Sequence, residues 1–437
     1  MRIKQVKYMS MNYQESAQWV EDFEGKDVPP TLIKSGQGGW IRFEDGRRAF
    51  EAVSGHSCLN LGHAHPELLE TAGHALSTLS YCSPEHYSDS SLALAERLSE
   101  LLGGAYRIKY ALSGSSANEI AMTIARRYWE GTGKPAKRIA ISLDRSYHGN
   151  MGQAQFATGY EAFRVSGYSD HSDYVHVPCA RNPASGKLFS TEEIRALLEA
   201  RIAQIGQDNI ACMIVEPINF AGGVIVPPDG YLAIIHELCR RHDITLIVDE
   251  VITGFGRSGK WFAFQKEGIR PDIVTMGKGI TAGYFPLAAV AVTNSLYMAL
   301  RESKVPLKKV ITMAGHPVGC EVALKNIEIT ARDGLCKRAE ENAGIFCEVL
   351  KPLERLRSIK EVRGVGHMWA LEFADFDQQK APEIAKMVAA RCEDENCIVA
   401  ASAGIIRINP PLNSSIAEIS FACSTLVNAV EYVDDCC

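Results

Sequence analysis

Two residues in this chain are well placed to do chemistry together: Asp249 and Lys278, each at the end of a short apolar run. Leu246-Ile247-Val248 leads into Asp249-Glu250, and Ile273-Val274-Thr275-Met276 leads into Gly277-Lys278-Gly279. Short β-branched runs of this kind predict buried strands of a parallel sheet. Ligands of open α/β sheets bind just outside the carboxyl ends of the strands, so this acid and amine would face one crevice. An amine can hold an aldehyde as an imine, and a carboxylate can keep a pyridine nitrogen protonated. The pair therefore suits pyridoxal 5'-phosphate (PLP), with Lys278 on the aldehyde and Asp249 on the ring nitrogen, making the ring an electron sink.

The same stretch admits two other readings. Gly254-Phe-Gly-Arg-Ser-Gly259-Lys260 fits the first seven positions of a phosphate-binding P-loop, and LIVDE resembles its acidic strand. The next position needs Ser or Thr for Mg²⁺ and holds Trp261, and here the acidic strand comes before the Gly-Lys loop instead of after it. The plainest alternative makes Asp249 a strand-end cap and Lys278 a surface lysine. This stretch alone leaves the choice open.

Composition narrows the classes. With 437 residues, 46% of them hydrophobic and 22% charged, the chain can build one to three ordinary globular domains. A net charge of −6 supplies no basic field for nucleic acid or an anionic membrane. No run reads as a transmembrane helix, and Met1-Arg-Ile-Lys-Gln lacks a signal-peptide core. Thirteen scattered cysteines without a C-x-x-C pair point to reduced thiols in a cytoplasm. Cys436-Cys437, behind Asp434-Asp435, reads as a frayed acidic tail.

The elements that must position the acid and amine follow in order. Gly39 to Phe50 alternates apolar and polar around Asp45-Gly46, a hairpin signal. His63 and His65 lack nearby Cys or carboxylate partners and fit a turn before Pro66 better than a metal site. Helical pattern runs from Pro66 to about Leu102, broken at Ser80–Tyr87. Ile108–Leu112 predicts a strand, and Ala117, Ile120, Ala121, Ile124, Ala125 and Tyr128 form one face of the next helix. Ser116-Ala-Asn-Glu119 fits a capping box there, and the Ser113-Gly114-Ser115 turn leaves free N–H groups for a phosphate. Further strands are expected at Arg138–Leu143, Ala211–Val215 and Pro286–Val292, with helices at Thr191–Ile205 and Gly230–Arg241. This alternation predicts α/β architecture: a large doubly wound, mostly parallel sheet domain plus a smaller α+β domain. The expected boundaries are 1–61 for an N-terminal segment joining the small domain, 62–312 for the large PLP-binding domain and 313–437 for the small C-terminal domain.

Taken together, the motifs resemble class III (ω-type) aminotransferases, PLP enzymes of fold type I. The resemblance runs from about Gly39 to Leu412. It rests on Asn60-Leu-Gly-His-x-His-Pro66, Ser113-Gly-Ser-x-Ala-Asn-Glu119, Tyr147-His-Gly149, Glu216-Pro217, Asp249-Glu-Val-x-Thr-Gly-Phe-Gly-Arg-x-Gly259, Lys278-Gly279, Thr312-x-x-Gly-His-Pro317 and Arg407-Ile-Asn-Pro-Pro-Leu412. It also accounts for the P-loop lookalike.

The resemblance implies roles. Lys278 would carry the cofactor as a Schiff base and shuttle the substrate proton, and Asp249 would bind the ring nitrogen. Val251 would lie under the ring, Tyr147 over it, and Gly114 and Ser115 around the phosphate. Glu216 would support the O3′ side. Thr312 would reach the phosphate from the neighbouring subunit, which implies an obligate homodimer with interfacial active sites. The implied partners are a small amine donor and an oxo-acid acceptor, and the same machinery would also serve a racemase, epimerase or aminomutase. Departures narrow the substrate: Ile218-Asn219-Phe220-Ala221 replaces the Gln-Gly-Glu that supplies a glutamate to the substrate arginine in the ornithine and 4-aminobutyrate enzymes. Arg407 would then read a carboxylate without that competitor. The departure at Ile218–Ala221 and Ile252, where the same subfamily often has Gln, lean toward the amine:pyruvate subgroup; Ser57 stands where that subgroup often has Trp, which suggests a roomier pocket. His56, Ser57 and Cys82–His86 are the remaining pocket candidates.

Overall fold

The computed structural model describes residues 31–160, 172–183, 185–303, 305–307, 311–375 and 380–436. Residues 1–30 of the expected N-terminal segment therefore lie outside the described residues. In chain order the strands are β1 (Ile33–Gln37), β2 (Trp40–Phe43), β3 (Arg48–Glu51), β4 (Tyr106–Ala111), β5 (Ile139–Leu143), β6 (Tyr174–Val177), β7 (Ile210–Val215) and β8 (Thr245–Asp249). They continue with β9 (Ile273–Met276), β10 (Ala288–Thr293), β11 (Ile359–Val365), β12 (Met368–Phe373), β13 (Cys397–Ile398), β14 (Ala400–Ser402) and β15 (Ile405–Ile408).

The central sheet has the order β4-β10-β9-β8-β7-β5-β6. Its strands run parallel except β10, which is antiparallel to both β4 and β9. Alternation along each strand feeds two cores. Leu246 and Val248 join the helices Asp89–Leu101, Thr191–Ile205 and Tyr231–Arg241 on one face. Ile247 and Ile273 join the helix Gly114–Gly131 on the other. Strands buried on both faces read as unbroken apolar runs, which is why β7 and β8 are fully buried along their length.

Two smaller sheets flank this one. The hairpin β2–β3 turns at Gly46 (φ +91°) and continues through β3 into parallel pairing with β13, so the start of the described chain is stitched to its late part. The other sheet, β11-β12-β15-β14, carries Arg407 at its third strand.

Several expectations need correction. The N-cap of the helix Gly114–Gly131 is Ser113, boxed with Ser116, three residues earlier than Ser116-x-x-Glu119 suggested. Ser113 and Ser116 satisfy each other's backbone, and Glu119 instead accepts from the Gln153 amide at 2.7 Å. The earlier start places Gly114 and Ser115 in the first helical turn. The expected frayed tail is the end of a long helix, Ile416–Cys436, in which Asp434 accepts from the Ser358 amide; Cys437 lies outside the described residues. By length and composition this helix could cross a membrane, contrary to the sequence reading. Its Ile419, Ala422, Cys423, Leu426, Val430 and Val433 are instead buried in the core around β11 and β12.

Candidate active site

Strands β8 and β9 are parallel neighbours, paired Asp249 to Thr275, so Asp249 and Lys278 emerge from adjacent strand ends. The Asp249 carboxylate is buried and fully engaged. Oδ2 accepts from Asn118 Nδ2 at 2.7 Å and from His148 Nδ1 at 2.8 Å, and Oδ1 accepts from the Val251 amide at 3.1 Å. Thr275 donates its hydroxyl to Asn118 Oδ1 at 2.7 Å, which turns the Asn118 NH₂ toward the acid. The same NH₂ group donates to the His148 carbonyl at 2.8 Å. His148 must carry its proton on Nδ1 to donate to Asp249. Its other ring nitrogen is buried and has no partner among the described residues.

Lys278 starts a short 3-10 turn with φ +41°, a left-handed conformation that costs a non-glycine residue energy and clusters at functional sites. Burial lowers the pKa of its amine, opposed by the nearby Cys58, Asp249 and Glu216 and reinforced by Arg407. These groups lie near enough to the lysine to bear on its charge. Glu216, at the end of β7, accepts from the amides of Tyr147 at 2.9 Å and Phe220 at 3.1 Å. Burial pushes its pKa up to about 7.

Val251 packs against Gly114 and Gly277. A Cβ on Gly114 would fall 2.8 Å from Val251 Cγ1, so only glycine lets the helix start approach so closely. A Cβ on Gly149, which has φ +139°, would fall 2.6 Å from Ser115 Oγ, so both glycines keep the loops around the helix N-terminus tight.

Arg407 is drawn into the same region. Its Nη1 donates to the Ala221 carbonyl at 3.1 Å, and its guanidinium carbon lies 5.7 Å from the centre of the Phe220 ring. Burial lowers its pKa. Ser57 is buried, and its hydroxyl accepts from Asn409 Nδ2 at 2.9 Å. It ends a left-handed turn of four residues, Ser54 to Ser57 (φ +47°, +53°, +58° and +65°). The turn presents His56, whose pKa is lowered by burial and then by Lys278. Thr312 is exposed on the single chain, where its carbonyl accepts from the Tyr81 hydroxyl at 3.1 Å.

The P-loop reading is overturned. Lys260 lies exposed and pairs with Glu340 at 3.1 Å, outside any phosphate cradle. Arg257, in the same loop, is fully buried and binds the carbonyls of Asn409 and Pro410 and the side chain of Asn60. The loop is a structural staple.

A sequence model of the family Aminotransferase class-III matches residues 23–430. The chain is a class-III aminotransferase. The match and the chain's relatives support transamination, and nothing in them favours the racemase, epimerase or aminomutase alternative. Among curated relatives, this aminotransferase is 32% identical to diaminobutyrate–2-oxoglutarate transaminase of Halomonas elongata, over 95% of this chain and 93% of the relative. It is 31% identical to putrescine–pyruvate aminotransferase of Pseudomonas aeruginosa, over 87% and 86%. Among solved structures, an (S)-enantioselective ω-transaminase from Thermomicrobium roseum superposes with TM-score 0.87 at 33% identity, covering 92% of this chain and 93% of that one. Fold type I and dependence on PLP come with the family.

The aminotransferase's own residues fit that cofactor. An anchored carboxylate suits a protonated ring nitrogen, a glycine-tight helix N-terminus suits a phosphate, and a buried amine suits an aldehyde. Sequence reasoning missed Asn118 and His148 as partners of Asp249. The signal was there for Asn118: an amide beside Ala117 and Ala121 on an apolar helix face, and it is buried.

Proposed function

We propose that this aminotransferase takes the amino group of a carboxylate-free or ω-placed primary amine and passes it to a small 2-oxo acid. The observation that carries this reading is Arg407. It borders the pocket, and among the described residues no carboxylate pairs with it; a backbone carbonyl and a ring are its contacts. An unpaired planar guanidinium matches a carboxylate bidentately, which selects an oxo acid in one half-reaction. Because its contacts are neutral, it can yield to an uncharged amine in the other.

PLP, when bound, supplies the carbonyl that exchanges with the amine and the electron sink at the substrate's α-carbon. Asp249, Val251, Tyr147, Glu216, Gly114 and Ser115 would hold it, with Lys278 as its Schiff-base lysine. Asp249 holds the positive charge of a ring N–H, and Asn118, His148 and the Val251 amide hold Asp249 still. Burial favours the neutral form of Lys278, so its nitrogen can accept a proton from the substrate's α-carbon and return it at the next position. Glu216 is tied to the amides of Tyr147 and Phe220, which keeps those two residues in register around the pocket.

The exposed Thr312 supports assembly as a homodimer in which this residue completes the neighbouring phosphate site. The scattered cysteines, eleven of them described as free thiols, support a cytoplasmic setting. The two relatives use different acceptors, so the deciding experiment is a donor screen with pyruvate and 2-oxoglutarate, following the cofactor spectrum. Turnover of primary amines with one oxo acid is expected. Turnover restricted to α-amino acids would overturn the proposed donor class.

A further inference from the structure

Phe220 has no role in the chemistry above, yet it touches Arg407, the cation proposed to read the substrate. Its ring is buried and lies under the Arg407 guanidinium at 5.7 Å. The next residue, Ala221, offers a carbonyl that accepts from Arg407 Nη1 at 3.1 Å and from the Tyr160 hydroxyl at 3.0 Å. The loop carrying both contacts is rigid. Asn219 and Ile225 bridge its ends, Asn219 Oδ1 accepts from the Gly222 amide at 2.6 Å, and the Phe220 amide is bound to Glu216. Arg363 fixes the far side by donating to the Gly223 carbonyl at 2.7 Å. Gly223 cannot be replaced cheaply, since φ is +101° and a Cβ would lie 2.7 Å from Arg363 Nη2. Ring and carbonyl are thus a fixed seat.

We propose that Phe220 and the Ala221 carbonyl are a seat for Arg407 that sets how this enzyme discriminates between a carboxylate-free amine and an oxo acid. The inference rests on the reading of Arg407 as the carboxylate-binding group. An oxo acid offers two charge-assisted hydrogen bonds and draws the guanidinium off the seat. A carboxylate-free amine offers nothing to it, and the seat keeps the charge away from the amine's apolar body. A loop without the ring would leave the charge closer to the amine pocket. Phe220 is therefore a positioning residue acting through Arg407.

The test uses the full-length holoenzyme and reads kcat/KM separately for the n-butylamine and pyruvate half-reactions. A lost cation–π contact corresponds to roughly two- to fivefold. Phe220→Leu should lower the butylamine value by that factor and leave pyruvate equal or better; Phe220→Tyr, which keeps the ring, should restore the ratio. Propionate, an unreactive carboxylate, should bind Phe220→Leu at least as tightly as wild type by calorimetry. In an Arg407→Ala background the Phe220→Leu change should have no effect on the ratio. An unchanged ratio in Phe220→Leu, or a shift that persists without Arg407, would overturn the inference while leaving the carboxylate reading intact. If Arg407→Ala leaves the pyruvate half-reaction untouched, the carboxylate reading itself fails.

Discussion

Asn118 and Asp249 meet through one 2.7 Å hydrogen bond between the helix Gly114–Gly131 and β8, and its direction is set from the neighbouring strand β9 by the Thr275 hydroxyl. The amide oxygen is occupied by Thr275, so only the NH₂ can face the acid. Asp249 is thereby kept as an acceptor with one fixed orientation. Asn118→Ala removes a hydrogen bond to a charged group, worth about 1.5–3 kcal/mol. The expected result is a comparable loss of PLP affinity, read by fluorescence titration of the apoprotein. Unaltered affinity would mean that His148 and the Val251 amide hold Asp249 unaided.

Lys278→Ala should abolish turnover while leaving the fold intact by circular dichroism. If Lys278 both holds the cofactor and moves the proton, as proposed, no neighbour among the described residues should replace both roles. Near-wild-type turnover in this variant would refute the lysine's assignment.

Arg407→Ala should cost on the order of 2–4 kcal/mol in kcat/KM for a 2-oxo acid, the scale for losing a desolvated charged hydrogen-bonded pair. A carboxylate-free amine should be affected far less. Equal losses in the two half-reactions would remove Arg407 from carboxylate recognition.

Glu216 predicts a pH signature. Burial holds its folded pKa up to about 7, whereas the unperturbed side chain titrates at 4.5. Between those values the folded chain binds more protons than the unfolded one, so its contribution to stability falls as pH rises through the window. Glu250, also raised to about 7, adds the same slope to any comparison protein that retains it. Thermal midpoints of the apoprotein and of Glu216→Gln, compared from pH 4.5 to 7, should therefore diverge in favour of the variant as pH rises. Parallel curves would show that Glu216 titrates alike in both states.

If Thr312 completes the neighbouring phosphate site, light scattering should report a dimer, and cofactor loss on dilution should track its dissociation. A monomer retaining full cofactor would contradict that assembly.

Much of this site can be read from the sequence because β8 and β9 obey a simple rule. Val and Ile runs end at a polar residue, and the polar residue stands at the crevice. That rule sets Asp249 and Lys278 near adjacent strand ends, but the stretch alone leaves their role open, and the motifs elsewhere in the chain are needed to choose the cofactor reading. Asn118 and His148 do not follow from it: an amide on an apolar helix face marks Asn118 as engaged, but the partner lies 131 residues from it and 101 from His148, and nothing local names that partner. The helix start shifted by three because Ser113 and Ser116 are both good caps, and only the pairing between them decides which is used. The helix Ile416–Cys436 escaped notice because its small, apolar residues carry weak periodicity, although one side of it fills a core.

Arg257 ties Asn60 to Asn409 and Pro410, reaching 197 residues toward one end of the chain and 152 toward the other. On the ribosome this has a consequence. The central sheet can assemble once β10 has emerged, but the wall formed by Asn60, the left-handed turn at Ser54–Ser57 and Arg407 cannot close until about residue 410 has been made. Until those residues exist the guanidinium lacks its two carbonyl partners and is left to water. A nascent chain stalled before β15 would thus present the ends of β8 and β9 without Arg407 and without the carbonyls that fasten Arg257.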